Sequence, residues 1–289
     1  MPAAGAVLLS RMSVGGFNCP WCRAYNAKDE KVCYRCGKPL GSPGVAGVMR
    51  TLSEVDMPAT KFLAGLSILV FALEMASAGF GKMGLLSGLP TSVMIRFGGL
   101  GFGLEHHEPY RLLAACFVHL GLIHVAMNML ALAELGRFCE STIGGPRLII
   151  GYVVTGLVGF LVSGWWYGIQ FTAGASGAIF GIDGLVLGGM VIKRDSRWKD
   201  MLVRTVIQSF VFFFMLRTNQ AAHLGGLACG LVMGVIFGLE TRPWRRSMLV
   251  NIAAGVCVVA CVVSVVLPHF SPAWRMVAAQ EQRRQANDD

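Results

Sequence analysis

Charge is what this sequence has least of. Asp, Glu, Lys and Arg make up 14% of its 289 residues, against about 25% in soluble domains. Hydrophobic residues make up 54% and the mean hydropathy is +0.59. That balance argues against a soluble enzyme and for a membrane protein. The 37 glycines follow no collagen-like period, which leaves them free for close helix packing in a bilayer. No secretory signal is expected: "MPAAGAVLLSRM" is too short an apolar stretch, and its arginine follows it. No internal repeat with broken helices is visible, which argues against a small-solute transporter. The formal net charge of +9 would suit a nucleic-acid binder or loops oriented in a bilayer.

Four of the nine cysteines lie in the polar stretch 15–42, "GGFNCPWCRAYNAKDEKVCYRCGKPLGS". Cys19, Cys22, Cys33 and Cys36 form two C-x-x-C pairs ten residues apart. Four thiolates so spaced close a tetrahedral metal site. A segment this small buries no core, so the metal would supply its folding energy. The expectation is a zinc ribbon, with a rubredoxin-like iron site or redox cysteines as alternatives. The ribbon reads as a cytoplasmic interaction module with a protein partner. No nucleic acid is expected, since Asp29 and Glu30 interrupt its basic residues. The other five cysteines fall in or beside apolar runs and read as small hydrophobes.

Residues 43–58 read as a linker rich in Pro and Gly. Apolar runs follow near 61–79, 116–136, 147–168, 172–192, 201–216, 221–240 and 248–267, most of them near the ~20 residues that cross a bilayer. The short run 201–216 is the weakest of the seven. Seven Lys or Arg precede the first run, and Lys193, Arg194, Arg197 and Lys199 follow the fourth. Arg242, Arg245 and Arg246 follow the sixth. The loop between the third and fourth runs has none. The positive-inside rule then puts the N-terminus in the cytoplasm and the C-terminus outside. It also accounts for the net charge without nucleic acid. The long first loop, 80–115, is outside despite Lys82, Arg96 and Arg111.

Ser176 sits between glycines in "FTAGASGAIFGIDG", near the outer end of the fourth run. His223 opens the sixth run, which crosses in the same direction, so the two share a depth. Gly177, Gly181, Gly184 and Gly188 fall on one helical face. Ala222, Gly226, Gly230, Gly234 and Gly238 repeat every fourth residue. Two such stripes let helices approach backbone to backbone. A serine activated by an imidazole needs contact at about 3 Å. A serine in a small-residue stripe also packs as an ordinary small residue, so spacing alone leaves both readings open. The second run, "FVHLGLIHVAMNML", adds His119, His124 and Asn128. Polar groups inside a bilayer are costly and mark function. His124 and Asn128 share a face and suit an oxyanion site. Three histidines could also hold a metal, but no Asp or Glu completes a facial set.

"GASG" around Ser176, "AHLGGLACG" around His223 and "HLGLIHVAMN" together resemble the rhomboid intramembrane serine proteases. "EPYRLLAACFVH" and "LGRFCESTIGG" align with two further family motifs, with Tyr110 where the family usually has Trp. The resemblance covers about residues 59–240. It implies an all-α polytopic membrane protein, a six-helix bundle, with residues 241–289 adding a basic loop, a seventh transmembrane helix and a tail. It implies that Ser176 is the nucleophile and His223 the general base of a dyad with no aspartate. His124, Asn128 and the serine's own N–H are the implied oxyanion donors. Arg111, His119, Glu140, Gly226 and Gly230 are implied structural residues, and Phe180 an aromatic packed on the histidine. The implied substrates are transmembrane helices of other membrane proteins, entering sideways from the lipid bilayer and unwinding for cleavage. Catalysis needs no cofactor; zinc is expected only in the ribbon. The alternative is an inactive rhomboid-like scaffold or chaperone, though such proteins typically lack the serine or the histidine. The expected location is the plasma membrane of a prokaryote. Asp183 and Glu74 stand apart as acids in membrane runs, each expected to be neutral or paired.

Overall fold

The computed structural model describes residues 17–18, 25–26, 30–35, 37, 57–79, 88–101, 103–168, 171–216, 219–239 and 248–288. The chain divides into two compact units, Met1–Met57 and Pro58–Asp289.

In the first unit, strands β1 (Phe17–Asn18) and β2 (Tyr25–Asn26) pair antiparallel, Phe17 opposite Asn26 and Asn18 opposite Tyr25. Cys19 and Cys22 lie in the connection between them and, with Cys36, fall outside the described residues. Cys33 is buried. Its carbonyl accepts the Gly37 N–H at 2.9 Å, a one-turn reversal that Gly37 completes at φ 68°.

The second unit is helical: α1 (Pro58–Ala78), α2 (Thr91–Arg96), α3 (Arg111–Ala114), α4 (Leu122–Ile143), α5 (Gly145–Tyr167), α6 (Ser176–Ile192), α7 (Trp198–Leu216), α8 (Gln220–Leu239), α9 (Met248–Val266) and α10 (Ala273–Asp288). Among the described residues, α1, α4, α5, α8 and Met248–Phe270 are long and apolar enough to cross a membrane. This is an integral, multi-pass membrane fold.

Helix α6 has 17 residues and is the central one. Every residue from Ser176 to Gly188 is buried, so its length need not match the bilayer. Glycine on both sides explains that burial. A Cβ on Gly226, Gly230 or Gly234 of α8 would overlap the carbonyl oxygen of Gly177, Gly181 or Leu185 of α6. A Cβ on Gly184 or Gly188 would overlap Leu227 or Leu231 of α8. Gly181 is two-faced, because its own missing Cβ points at Thr155 of α5. Helix α5 closes on α8 as well: a Cβ on Gly159 would lie 2.7 Å from the Ala222 carbonyl. Close backbone approach replaces the hydrophobic drive that lipid removes.

Two stretches differ from the apolar runs of the sequence. The run at 116–136 becomes an irregular, buried stretch, Cys116–His119, before α4 starts at Leu122 and continues to Ile143. Gly121 and Gly144 bracket that helix. The carboxylate of Glu140 in its last turn caps α1, accepting the N–H groups of Ala59 and Thr60 at 3.0 and 2.9 Å and the Thr60 hydroxyl at 2.7 Å. The tail after α9 forms α10, which packs on α2. Ile95, Ala273 and Val277 form a small core there, with the Arg96 guanidinium 4.9 Å over the Trp274 ring.

Candidate active site

Ser176 is the first residue of α6. The backbone just before it is extended: Thr172 and Leu100 exchange hydrogen bonds at 3.0 and 3.1 Å. Gly174, at φ 131°, donates to the Ala115 carbonyl at 2.8 Å. The 88–121 loop thus clamps the approach to the serine. As a first-turn residue Ser176 keeps an N–H with no intrahelical acceptor, at the positive end of the helix dipole.

His223 lies in the first turn of α8, where the glycine interlock begins. Its Nε2 is 2.7 Å from Ser176 Oγ. The Phe180 ring, one turn along from the serine, stacks on the imidazole with centroids 4.4 Å apart and planes 23° apart. Both Ser176 and His223 are buried. Bringing two short side chains this close needs the helix axes to approach as only glycine allows.

The second-run residues gather on the other side of the serine. A Cβ on Gly174 would lie 2.7 Å from His124 Cε1 and 3.0 Å from its Nε2, so that ring lies against the segment leading into Ser176. His124 Nε2 has no hydrogen-bond partner among the described residues. The Asn128 amide donates one N–H to the His124 carbonyl at 2.9 Å, which leaves a second N–H on the same nitrogen. His119 packs edge-on against His124, centroids 5.3 Å apart, and its Nδ1 lies 3.1 Å from the Phe117 carbonyl. No group of three or more His, Cys, Asp or Glu side chains able to hold a metal occurs among the described residues.

Arg111 is fully buried in the loop. Its guanidinium donates to the carbonyls of Ile95 and Gly99 at 2.6 and 3.3 Å and to Glu108 at 2.5 Å. Glu108 also accepts the Tyr110 hydroxyl at 2.8 Å and the Ser271 hydroxyl at 2.6 Å. Burial alone would push the Glu108 carboxyl up, but these hydrogen bonds and the Arg111 charge outweigh it and hold it below the usual carboxylate value. Tyr110 is pushed up to about 12, by burial first and then by its bond to Glu108.

Glu74 accepts the His119 N–H at 3.4 Å, whereas Asp183 is buried with no hydrogen-bond partner for either oxygen among the described residues. Sequence reasoning missed Asn219, Thr172, Glu108 and Ser271. Asn219 carried a signal: an Asn ahead of an apolar helix, four residues before His223, reads as an N-cap. Ser271 and Glu108 lie 163 residues apart, a pairing no local pattern shows.

Residues 106–240 match the family model described as the Rhomboid domain. The chain is 30% identical over 161 residues to RHOMBOID-like protein 1 of Arabidopsis thaliana, a match over 51% of this chain and 40% of that protein. It is 29% identical to Rhomboid-type serine protease 2 of Emericella nidulans, over 51% of this chain and 32% of that protein. It is also 29% identical to Rhomboid protease GluP of Bacillus subtilis, over 57% of this chain and 34% of that protein. The chain thus spans about half, or less, of the length of the curated relatives it matches. The matching domain and the named proteases support placement in the rhomboid family.

Proposed function

We propose that this chain is a rhomboid-family intramembrane serine endopeptidase that cleaves transmembrane helices of other membrane proteins. The observation that carries the reading is the 2.7 Å contact between His223 Nε2 and Ser176 Oγ, made inside a membrane unit that buries both. His223 takes the Ser176 proton as Oγ attacks the scissile carbonyl, then returns it to the leaving amine. The ester is hydrolysed by water that His223 deprotonates in turn. The Phe180 stack holds the imidazole plane. The oxyanion falls among the Ser176 N–H, the orphaned Nε2 edge of His124 and the second Asn128 N–H. The Ser176 N–H comes from α6 and the other two from α4, and donors fixed before reaction need no reorganisation.

Helix α7 is the side on which a substrate helix enters. Its main neighbour among the described residues is α6, and Val203, Val206, Ile207 and Phe210 are exposed. Residues 92–111 touch residues 268–281, which puts both on one side of the membrane. An even number of crossings must separate them, and α4 to α9 supply six. This supports seven crossings; the positive-inside rule, not these contacts, then puts the N-terminus in the cytoplasm and the serine near the outer face.

Cys19, Cys22, Cys33 and Cys36 would hold one zinc ion in the first unit. The reversal at Cys33–Gly37 and the burial of Cys33 fit a metal knuckle. The metal's role there is to fold the module, which then takes a cytoplasmic protein partner. Elemental analysis of the purified protein is expected to find one zinc per chain; none would remove the site.

The test of the enzyme reading is cleavage of a model transmembrane substrate in proteoliposomes. Ser176→Ala and His223→Ala should each abolish it while leaving folded protein. Cleavage surviving either change would overturn the assignment. A wild-type protein that binds membrane proteins and cuts none would favour the scaffold alternative.

A further inference from the structure

We infer that Asn219 is a positioning residue that fixes the register between the two halves of the dyad, an inference that rests on the serine-protease reading. Asn219 immediately precedes α8. Its Oδ1 accepts the Ala222 N–H at 3.0 Å, and its backbone carbonyl accepts the His223 N–H at 3.2 Å. The side chain therefore caps the turn that carries the histidine. Its Nδ2 works in the opposite direction. One N–H goes to Thr172 Oγ1 at 3.1 Å and the other to Ser163 Oγ of α5. Three of the side chain's four hydrogen-bonding positions are thus used.

Those partners are not arbitrary neighbours. Thr172 lies four residues before Ser176 and is held by two backbone bonds to Leu100. Ser163 lies one turn beyond Gly159, whose missing Cβ admits the Ala222 carbonyl. One planar amide thus ties together α5, the extended segment that delivers Ser176, and the helix end that delivers His223. The glycine interlock sets how closely α6 and α8 lie. It does not by itself fix how far the first turn of α8 slides or frays relative to Ser176. Asn219 does, because moving His223 along the axis would stretch the cap or the bridge. A misplacement of about 1 Å between reacting groups costs on the order of 100-fold in rate.

The experiment must separate capping from bridging. Serine is nearly as good a cap as asparagine but lacks the amide that reaches Thr172 and Ser163. The readouts are the rate at which a fluorophosphonate modifies Ser176, followed by intact-protein mass, the thermal midpoint in detergent, and kcat and KM on a transmembrane substrate. Asn219→Ala should slow modification and kcat by about 10- to 100-fold with KM little changed, since substrate contacts are untouched. Asn219→Ser should recover the midpoint and not the rate. Thr172→Val, which removes one end of the bridge and no cap, should slow modification in the same direction by less. If Asn219→Ala does not fold, the Ser and Val variants carry the test alone. Asn219→Ser reacting as fast as wild type would reduce Asn219 to a cap and overturn the inference, as would an unaffected Asn219→Ala. A wild type that the probe does not modify would overturn the protease reading, and this inference with it. Modification of the wild type at Ser176 with no change in the variants would overturn this inference alone.

Discussion

Helices α7 and α8 flank the same central helix and are held to it by opposite means. Helix α8 meets α6 through glycine, each backbone occupying the space where the other would carry a side chain. Helix α7 presents Met201 and Thr205 inward and Val203, Val206, Ile207 and Phe210 outward. An ion pair, Arg204 to Glu134 at 2.7 Å, joins it to α4. On the proposed protease reading, the contrast separates two demands. The dyad needs two side chains held to a few tenths of an ångström, and a backbone-to-backbone seam has no rotamers to move. A substrate helix needs a wall that yields, and a helix held by a few side chains can yield without disturbing the seam.

The largest way to break this contrast is to fill the seam. Gly230→Val puts its Cβ into the Gly181 carbonyl, which is backbone and cannot rotate away. The cost should exceed the about 1–3 kcal/mol of ordinary overpacking. Loss of folded protein or of all activity is expected in a thermal melt with a cleavage assay. Gly255→Ala in α9, with open space at its Cα, should change neither. Equal tolerance at the two sites would remove the seam as the cause of the geometry.

Next come the donors facing the seam from α4. His124→Ala and Asn128→Ala should each lower kcat by about 10²–10³ and leave the thermal midpoint nearly unchanged. Full activity in both would mean that the oxyanion is held by other groups.

A smaller effect is expected in the loop over the serine. The folded state holds Glu108 below its ordinary value. Its contribution to stability is therefore present above the unfolded value, about 4.3, and lost as pH falls through that value and the folded one. Thermal melts should show the wild type losing part of its stability as pH drops below about 4.3. Glu108→Gln should be less stable at neutral pH and lose less on acidification. A variant with the wild-type pH profile would show that the clamp to Ser271 and Arg111 does not depend on the charge.

The smallest effect belongs to α7. Both members of the Arg204–Glu134 pair are well exposed, and exposed pairs contribute at most about 1 kcal/mol. Arg204→Gln should barely move the midpoint. A large loss of stability would mean that α7 is held as firmly as α8.

Much of this was written locally. The four-residue glycine repeats gave the stripes and their partner helices, because a helical face follows from spacing alone. Ser176 and His223 stood out as polar groups at matching depth in apolar runs. What spacing could not show was that Gly181 serves α5 as well as α8, since a glycine has two open sides and the sequence names neither. The start of the second span was misplaced by about one and a half turns, because hydropathy does not distinguish a buried irregular stretch such as Cys116–His119 from a helix. The docking of α10 on α2 was invisible for another reason. Its bond, Ser92 to Glu281, and the neighbouring bond of Ser271 to Glu108 join residues 189 and 163 positions apart.

The central claim is that the glycine seam makes Ser176 a nucleophile by placing His223 against it. The most direct measurement is mass-spectrometric mapping of the fluorophosphonate adduct on detergent-solubilised protein. A single adduct on Ser176 in the wild type is expected, absent from both Ser176→Ala and His223→Ala. An adduct on another serine, or one on Ser176 that forms equally fast without His223, would contradict it.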